Sequence, residues 1–90
     1  MPILHDPIAS LAARLVFRDV RRSAGLSMER LAEQMGLTYQ QVQKYEAGSN
    51  RITVDALAAL GRATSITLTD LAMRIEARMA LIRSGRPRAS

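Results

Sequence analysis

Helix-opening residues and helix-closing glycines divide this chain into short segments, and that punctuation restricts its fold more than any other feature. Asp6 with Pro7 behind it, Ser27, Thr38 and Thr53 each stand before a run of apolar residues at helical spacing. Gly25, Gly36 and Gly48 each follow such a run. A side-chain oxygen at a helix start accepts an otherwise unpaired backbone N–H, and proline suits the first helical position. Glycine takes the left-handed conformation that closes a helix. The expectation is therefore an all-α fold. No stretch alternates apolar and polar residues, and aromatics are only 3% of the chain, so strands are not expected.

Five helices follow. The first starts at Pro7, ends near Ala24, and turns Ile8, Leu11, Ala12, Leu15, Val16 and Val20 inward. The second is capped by Ser27, stopped by Gly36, and buries Leu31, Ala32 and Met35. The third runs from its cap Thr38 to Gly48 with Val42 and Tyr45 inside. Thr53 caps the fourth, which buries Leu57, Leu60 and Ala63. Thr69 is expected to cap the fifth, with Asp70 near the positive end of its dipole. Along it Leu68, Ala72, Ile75, Met79 and Ile82 alternate spacings of four and three, as in a coiled-coil seam. Residues 1–90 read as one domain with a core of about 7–83. The tail, 84–90, is small, polar and basic, and disorder is expected there.

Composition excludes several classes of function. Without cysteine there are no disulfides and no thiolate metal sites. His5 is the single histidine and no acidic cluster stands beside it, so neither a metal site nor a cofactor is expected. No nucleophile–base pair and no phosphate-binding glycine loop is visible, which argues against an enzyme. No apolar run approaches the roughly 20 residues of a membrane helix, and the first residues lack the pattern of a signal peptide. The expected compartment is the cytoplasm.

The net charge is +5 and the pI about 11.1, which points to an anionic partner, most commonly nucleic acid. Residues 26 to 51 do not carry this surplus. There Arg30, Lys44 and Arg51 cancel against Glu29, Glu33 and Glu46. The excess lies in Arg14, Arg18, Arg21 and Arg22, and again in Arg74, Arg78, Arg83, Arg86 and Arg88.

The neutral stretch nevertheless carries the clearest chemistry. Two short helices meet at Gly36, where glycine permits a sharp turn. The second opens Thr-Tyr-Gln-Gln and runs into a Gly-Ser-Asn-Arg loop. If Val42 and Tyr45 face the core, Gln40, Gln41 and Lys44 face outward, with Tyr39 and Gln43 beside them. A glutamine amide matches adenine N6 and N7, and a lysine can donate to guanine O6 or N7. The loop residues Ser49, Asn50 and Arg51 suit the sugar-phosphate backbone, which sets register without reading sequence. Backbone N–H groups at the helix starts of Ser27 and Thr38 can hold a phosphate.

Taken together, residues 21 to 71 resemble the helix-turn-helix domain of the phage repressor/Cro family, also called the XRE family. The resemblance rests on Arg21, Gly25-Leu26-Ser27, Leu31-Ala32, Gly36-Leu37-Thr38, Val42, Glu46 and Gly48, continued by Leu57, Leu60 and Leu71. The run LTYQQVQKYEAGSNRI is especially similar to bacterial members. It implies a five-helix, lambda-repressor-like DNA-binding fold with an extended last helix. It implies base contacts from Tyr39, Gln40, Gln41 and Lys44, and backbone contacts from Ser27, Thr38, Gln43, Ser49, Asn50 and Arg51. It also implies a structural ion pair between Arg21 and Glu46. Three departures from the family pattern cover four positions. Met28 replaces a phosphate-binding glutamine, Gly61 replaces alanine, and Thr64-Ser65 replaces an apolar residue and a helix-stopping glycine. The implied function is sequence-specific regulation of transcription. The expected form is a repressor that binds a palindromic operator as a homodimer joined through Ala72, Ile75, Met79 and Ile82. An antitoxin that binds a toxin protein and controls its own operon is the alternative.

Overall fold

The computed structural model describes residues 5–85. These form five α-helices and no strand: α1 (Pro7–Ser23), α2 (Met28–Met35), α3 (Tyr39–Ala47), α4 (Val54–Thr64) and α5 (Leu68–Ser84). The all-α expectation holds. Asp6, Ser27, Thr38 and Thr53 are the caps of the first four, each accepting from backbone N–H groups one turn ahead.

The fifth cap differs from expectation. It is Thr67, whose Oγ1 accepts from the Asp70 N–H at 3.0 Å, and Thr69 lies inside the helix. Thr67 and Asp70 have the spacing of a cap and an acidic third residue, a start signal that Thr69 lacks. The expected tail now divides: Ser84 ends α5, Gly85 closes it at φ 65°, and 86–90 lie outside the described residues.

The turns share one closing device. After α1, α2 and α4 a left-handed residue is followed by an apolar one, whose N–H reaches back into the helix. Leu26 donates to the Arg21 carbonyl, Leu37 to that of Ala32 and Ile66 to that of Gly61, at 2.9–3.1 Å. All three apolar side chains then pack on the core. The device both ends the helix and directs the chain inward. At the third site Ser65 takes the left-handed position with φ 60°, where the family pattern has glycine.

Gly61 is not the weak point that helix propensity suggests. It is buried, and a Cβ there would collide with the Ile66 carbonyl oxygen, a backbone atom that cannot move aside alone. Glycine at this position permits the close return of the chain between α4 and α5.

The core consists of Val16, Phe17, Val20, Leu31, Ala32, Val42, Leu60 and Leu71. Phe17 is absent from the expected inner face of α1 yet is completely buried, whereas Ile8, Leu11 and Leu15 are only half-buried. The stripe on α1 is thus rotated toward Phe17, the only phenylalanine. Met28 packs on the core as well, which explains an apolar residue at that helix start. Helix α5 packs mainly along α1, and Arg78 of α5 pairs with Asp19 of α1. The expected seam on α5 is therefore partly used within the chain. Leu71 is fully buried, and the half-buried Ile75 lies partly against the core. Met73 and Leu81 are the exposed large apolar residues beyond the first turn of α5.

Candidate nucleic-acid interface

Helix α3 is held from behind at three points. Val42 is fully buried, the Tyr45 ring packs at a tilt against Phe17 with centroids 5.8 Å apart, and Glu46 meets Arg21. The last contact is two-pronged: Arg21 Nε donates to Glu46 Oε2 at 2.5 Å and Nη2 donates to Oε1 at 2.9 Å. Arg21 Nη1 also donates to the Leu26 carbonyl at 2.9 Å. One guanidinium thus ties together the last turn of α1, the turn after it and the last turn of α3. The hydrogen bond to Glu46 raises the Arg21 pKa above its ordinary value, against the opposing effect of burial. Arg21 stays charged at any pH the fold meets.

With that face fixed, the opposite face of α3 is open. Tyr39, Gln40, Gln41, Gln43 and Lys44 are all exposed. Residues 39–41 form the first turn, and Lys44 lies one turn beyond Gln40 on the same side. Ser49, Asn50 and Arg51 follow in the exposed loop.

One of these side chains, Gln41, has a second task with the cap residue Thr38. Gln41 Oε1 accepts from the Thr38 N–H at 2.9 Å and from the Thr38 hydroxyl at 3.3 Å, while Thr38 Oγ1 accepts from the Gln41 N–H at 3.1 Å. This capping box occupies both donors of Thr38 and the carbonyl of the Gln41 amide. Gln41 keeps its NH2 donors, so in this conformation it can donate to a base but cannot make a two-way adenine contact. Gln40 has the whole amide available. The helix-start donors without an acceptor among the described residues are the amides of Tyr39 and Gln40. Ser27 caps α2 in the same manner, accepting from the Arg30 N–H at 3.1 Å.

Gly48 closes α3 at φ 82°, and the Ser49 N–H returns to the Lys44 carbonyl at 2.9 Å. Arg14, one of the arginines of the basic excess on α1, lies over this turn. Its Cδ and Nε would be 3.1 Å from a Cβ at position 48, and its Nη1 is 3.5 Å from the Glu46 carbonyl oxygen. Its position seven residues before Arg21 puts both arginines on the α1 face that meets α3.

An exposed helix start with adjacent amides, packed on a second helix and locked by a buried ion pair, is the arrangement that lets a short helix enter the major groove. A helix-turn-helix family model matches residues 17–71. The chain belongs to the XRE-type helix-turn-helix family. Among its relatives is an uncharacterised helix-turn-helix-type transcriptional regulator of Sinorhizobium medicae, 37% identical over 49 residues, 54% of this chain and 35% of that protein. Another, from Rhodospirillum rubrum, is named an uncharacterised transcriptional regulator in the ATPase CF(0) region. It is 37% identical over 65 residues, 72% of this chain and 58% of its own length. This XRE-type chain thus spans roughly a third to three-fifths of these relatives. A solved structure of the clp gene regulator ClgR from Corynebacterium glutamicum has the same fold. Its TM-score is 0.80 over 90% of this chain and 86% of that one, at 21% identity. Among the described residues of this XRE-type domain, no helix is long and apolar enough to cross a membrane.

Proposed function

We propose that this chain is a sequence-specific DNA-binding regulator of transcription, acting in the cytoplasm as a repressor that occupies its operator. The observation that supports this best is the two-sided character of α3. Its inner side is fixed by Val42, Tyr45 and Glu46, and its outer side is an exposed row of hydrogen-bonding groups. In this reading Gln40 and Lys44 read base edges, Gln41 donates through its amide NH2, and Tyr39 packs against a thymine methyl. Gln43, Ser49, Asn50 and Arg51 meet phosphates, and the helix starts at Ser27 and Thr38 offer backbone N–H groups to others.

The regulator pairs with a second copy through α5. Repressors of this type read two half-sites about 34–36 Å apart, so two copies double a small interface. Ile75 is partly engaged in the chain's own core, so the stripe left for a partner is Ala72 with the half-buried Met79 and Ile82, while Met73 and Leu81 are exposed on other sides of α5. The relatives are named as transcriptional regulators, which favours this reading over an antitoxin. Selection of bound sequences from a random DNA pool tests it. An enriched motif with two-fold symmetry is expected, and a pool that stays random after repeated rounds would sink the proposal.

A further inference from the structure

Three of the arginines that sequence alone makes available for attraction are engaged within the chain. Arg21 pairs with Glu46, Arg78 with Asp19, and Arg83 lies 3.8 Å from Asp6. The remaining positive charge has a more definite place. An open groove runs between the first half of α1 and the loop after α3, lined by Ser10 and Arg14 on one side and Ser49, Asn50 and Arg51 on the other. His5 also lines it, and no carboxylate is among its described lining residues; Asp6 lines the adjoining cavity, which shares His5, Ser10, Arg51 and Ile52 with this one.

Arg14 is built into this groove. It is half-buried, its stem lies over Gly48, and its one hydrogen bond among the described residues is the long contact to the Glu46 carbonyl. Packing holds the guanidinium in place while most of its N–H donors have no protein acceptor. Ser10 lies one turn before it on the same face. Across the groove the backbone N–H groups of Ser49 and Asn50 are taken by the Lys44 carbonyl, which leaves the Ser49 hydroxyl, the Asn50 amide and Arg51 as donors. Two guanidinium groups, side-chain donors and no acid are suited to a singly charged oxyanion. The α1 wall, Ser10 and Arg14, lies before the segment matched by the family model, which begins at residue 17.

We propose that this groove holds a phosphate of the DNA backbone beside the end of α3, gripped by Arg14 and Arg51 from opposite walls. This rests on the DNA-binding reading and adds to it a contact from α1. Arg14 then has two roles on one side chain: it packs against the end of the reading helix and it binds the backbone that the helix lies along.

The test uses the full chain and an operator obtained by the selection above. Affinity is measured from 50 to 200 mM salt for the wild type, Arg14→Gln, Arg14→Lys and Arg62→Gln, an exposed arginine outside the groove. Loss of one phosphate contact lowers the slope of log affinity against log salt by about 0.9, which is roughly three- to fourfold over this range. Arg14→Gln should show that loss with its base preference unchanged, Arg14→Lys should recover most of it, and Arg62→Gln should not show it. A walk of single neutral methylphosphonates along the operator should find one phosphate whose neutralisation weakens the wild type more than it weakens Arg14→Gln, which keeps only the Arg51 contact. Ser10→Glu, which adds a carboxylate to the groove, should weaken binding to every sequence, and it stands in if Arg14→Gln melts early. An Arg14→Gln protein that folds, keeps the wild-type slope and shifts its base preference would show that Arg14 only braces α3, and the proposal fails. It fails also if Ser10→Glu binds as the wild type does. A wild-type protein that binds no duplex overturns the DNA reading itself and the groove with it, a different result from either of these.

Discussion

At position 61 helix propensity and packing act in opposite directions. Alanine in a helix interior is favoured over glycine by about 0.5–1 kcal/mol. The Cβ it adds would meet the Ile66 carbonyl oxygen, and crowding of that kind costs about 1–3 kcal/mol. Packing should win, so Gly61→Ala is expected to lower stability by about 1–2 kcal/mol in urea denaturation, and a gain would show that the turn relaxes freely. Ser65 presents the opposite case. A non-glycine residue in the left-handed region costs about 1–2 kcal/mol, and glycine's extra freedom in the unfolded chain takes back about 0.5–1. Nothing in its geometry requires a side chain there, since the turn is closed by the backbone bond from Ile66 to Gly61. Ser65→Gly should therefore stabilise the fold by about 0.5–1 kcal/mol, visible as a higher melting temperature.

At the scale of elements, the pose of α3 depends on α1. The Arg21–Glu46 pair is almost wholly buried, with side-chain exposures of 10% and 4%. Removing one partner of such a pair leaves a buried charge alone and costs about 3–5 kcal/mol, so Arg21→Met or Glu46→Leu should each approach that loss. The double variant should recover a large part of it, because no lone charge remains. A double variant as unstable as the sum of the singles would contradict this account. The outer face of α3 behaves differently. Gln40→Ala should change which base is preferred at one operator position, by about 1–3 kcal/mol, without changing stability. Arg51→Ala should weaken all sequences alike and reduce the salt slope by about one. Repeating the selection with each variant distinguishes the two, and an unchanged preference profile for Gln40→Ala would mean that another face of α3 reads the bases.

For the whole molecule, the charge balance and the small interface point the same way. The helix-turn-helix segment is neutral, and three of the arginines outside it are engaged internally. A single copy with a handful of phosphate contacts binds weakly at physiological salt, so pairing matters. Sedimentation equilibrium should give twice the mass of one chain at micromolar concentration. Ile82→Arg, on the stripe of α5 left for a partner, should shift the protein to single copies while its helical content stays the same. A wild-type chain that remains single at high concentration would remove the dimer from the proposed function.

The local rules were written in the residues. Caps at Asp6, Ser27, Thr38 and Thr53 and left-handed glycines at Gly25, Gly36 and Gly48 act over a few residues, so the first four helices could be placed from sequence. Thr67 was legible as well, through its spacing to Asp70, although Thr69 is the nearer neighbour of that acid. The exposed row on α3 follows from helical period alone once Val42 and Tyr45 are turned inward. What depended on tertiary structure were contacts between residues far apart in the chain. Ile66 returns over Gly61, Phe17 rather than Leu15 enters the core, and Ile75 turns inward. Arg14 comes to lie across the end of α3, 32 residues from the carbonyl it touches. Periodicity says that a helix has an inner face but not which neighbour will cover it, because that depends on how helices cross. For the same reason the sequence alone could show a neutral helix-turn-helix in a basic chain, while only packing decided which arginines pair with a carboxylate within the fold.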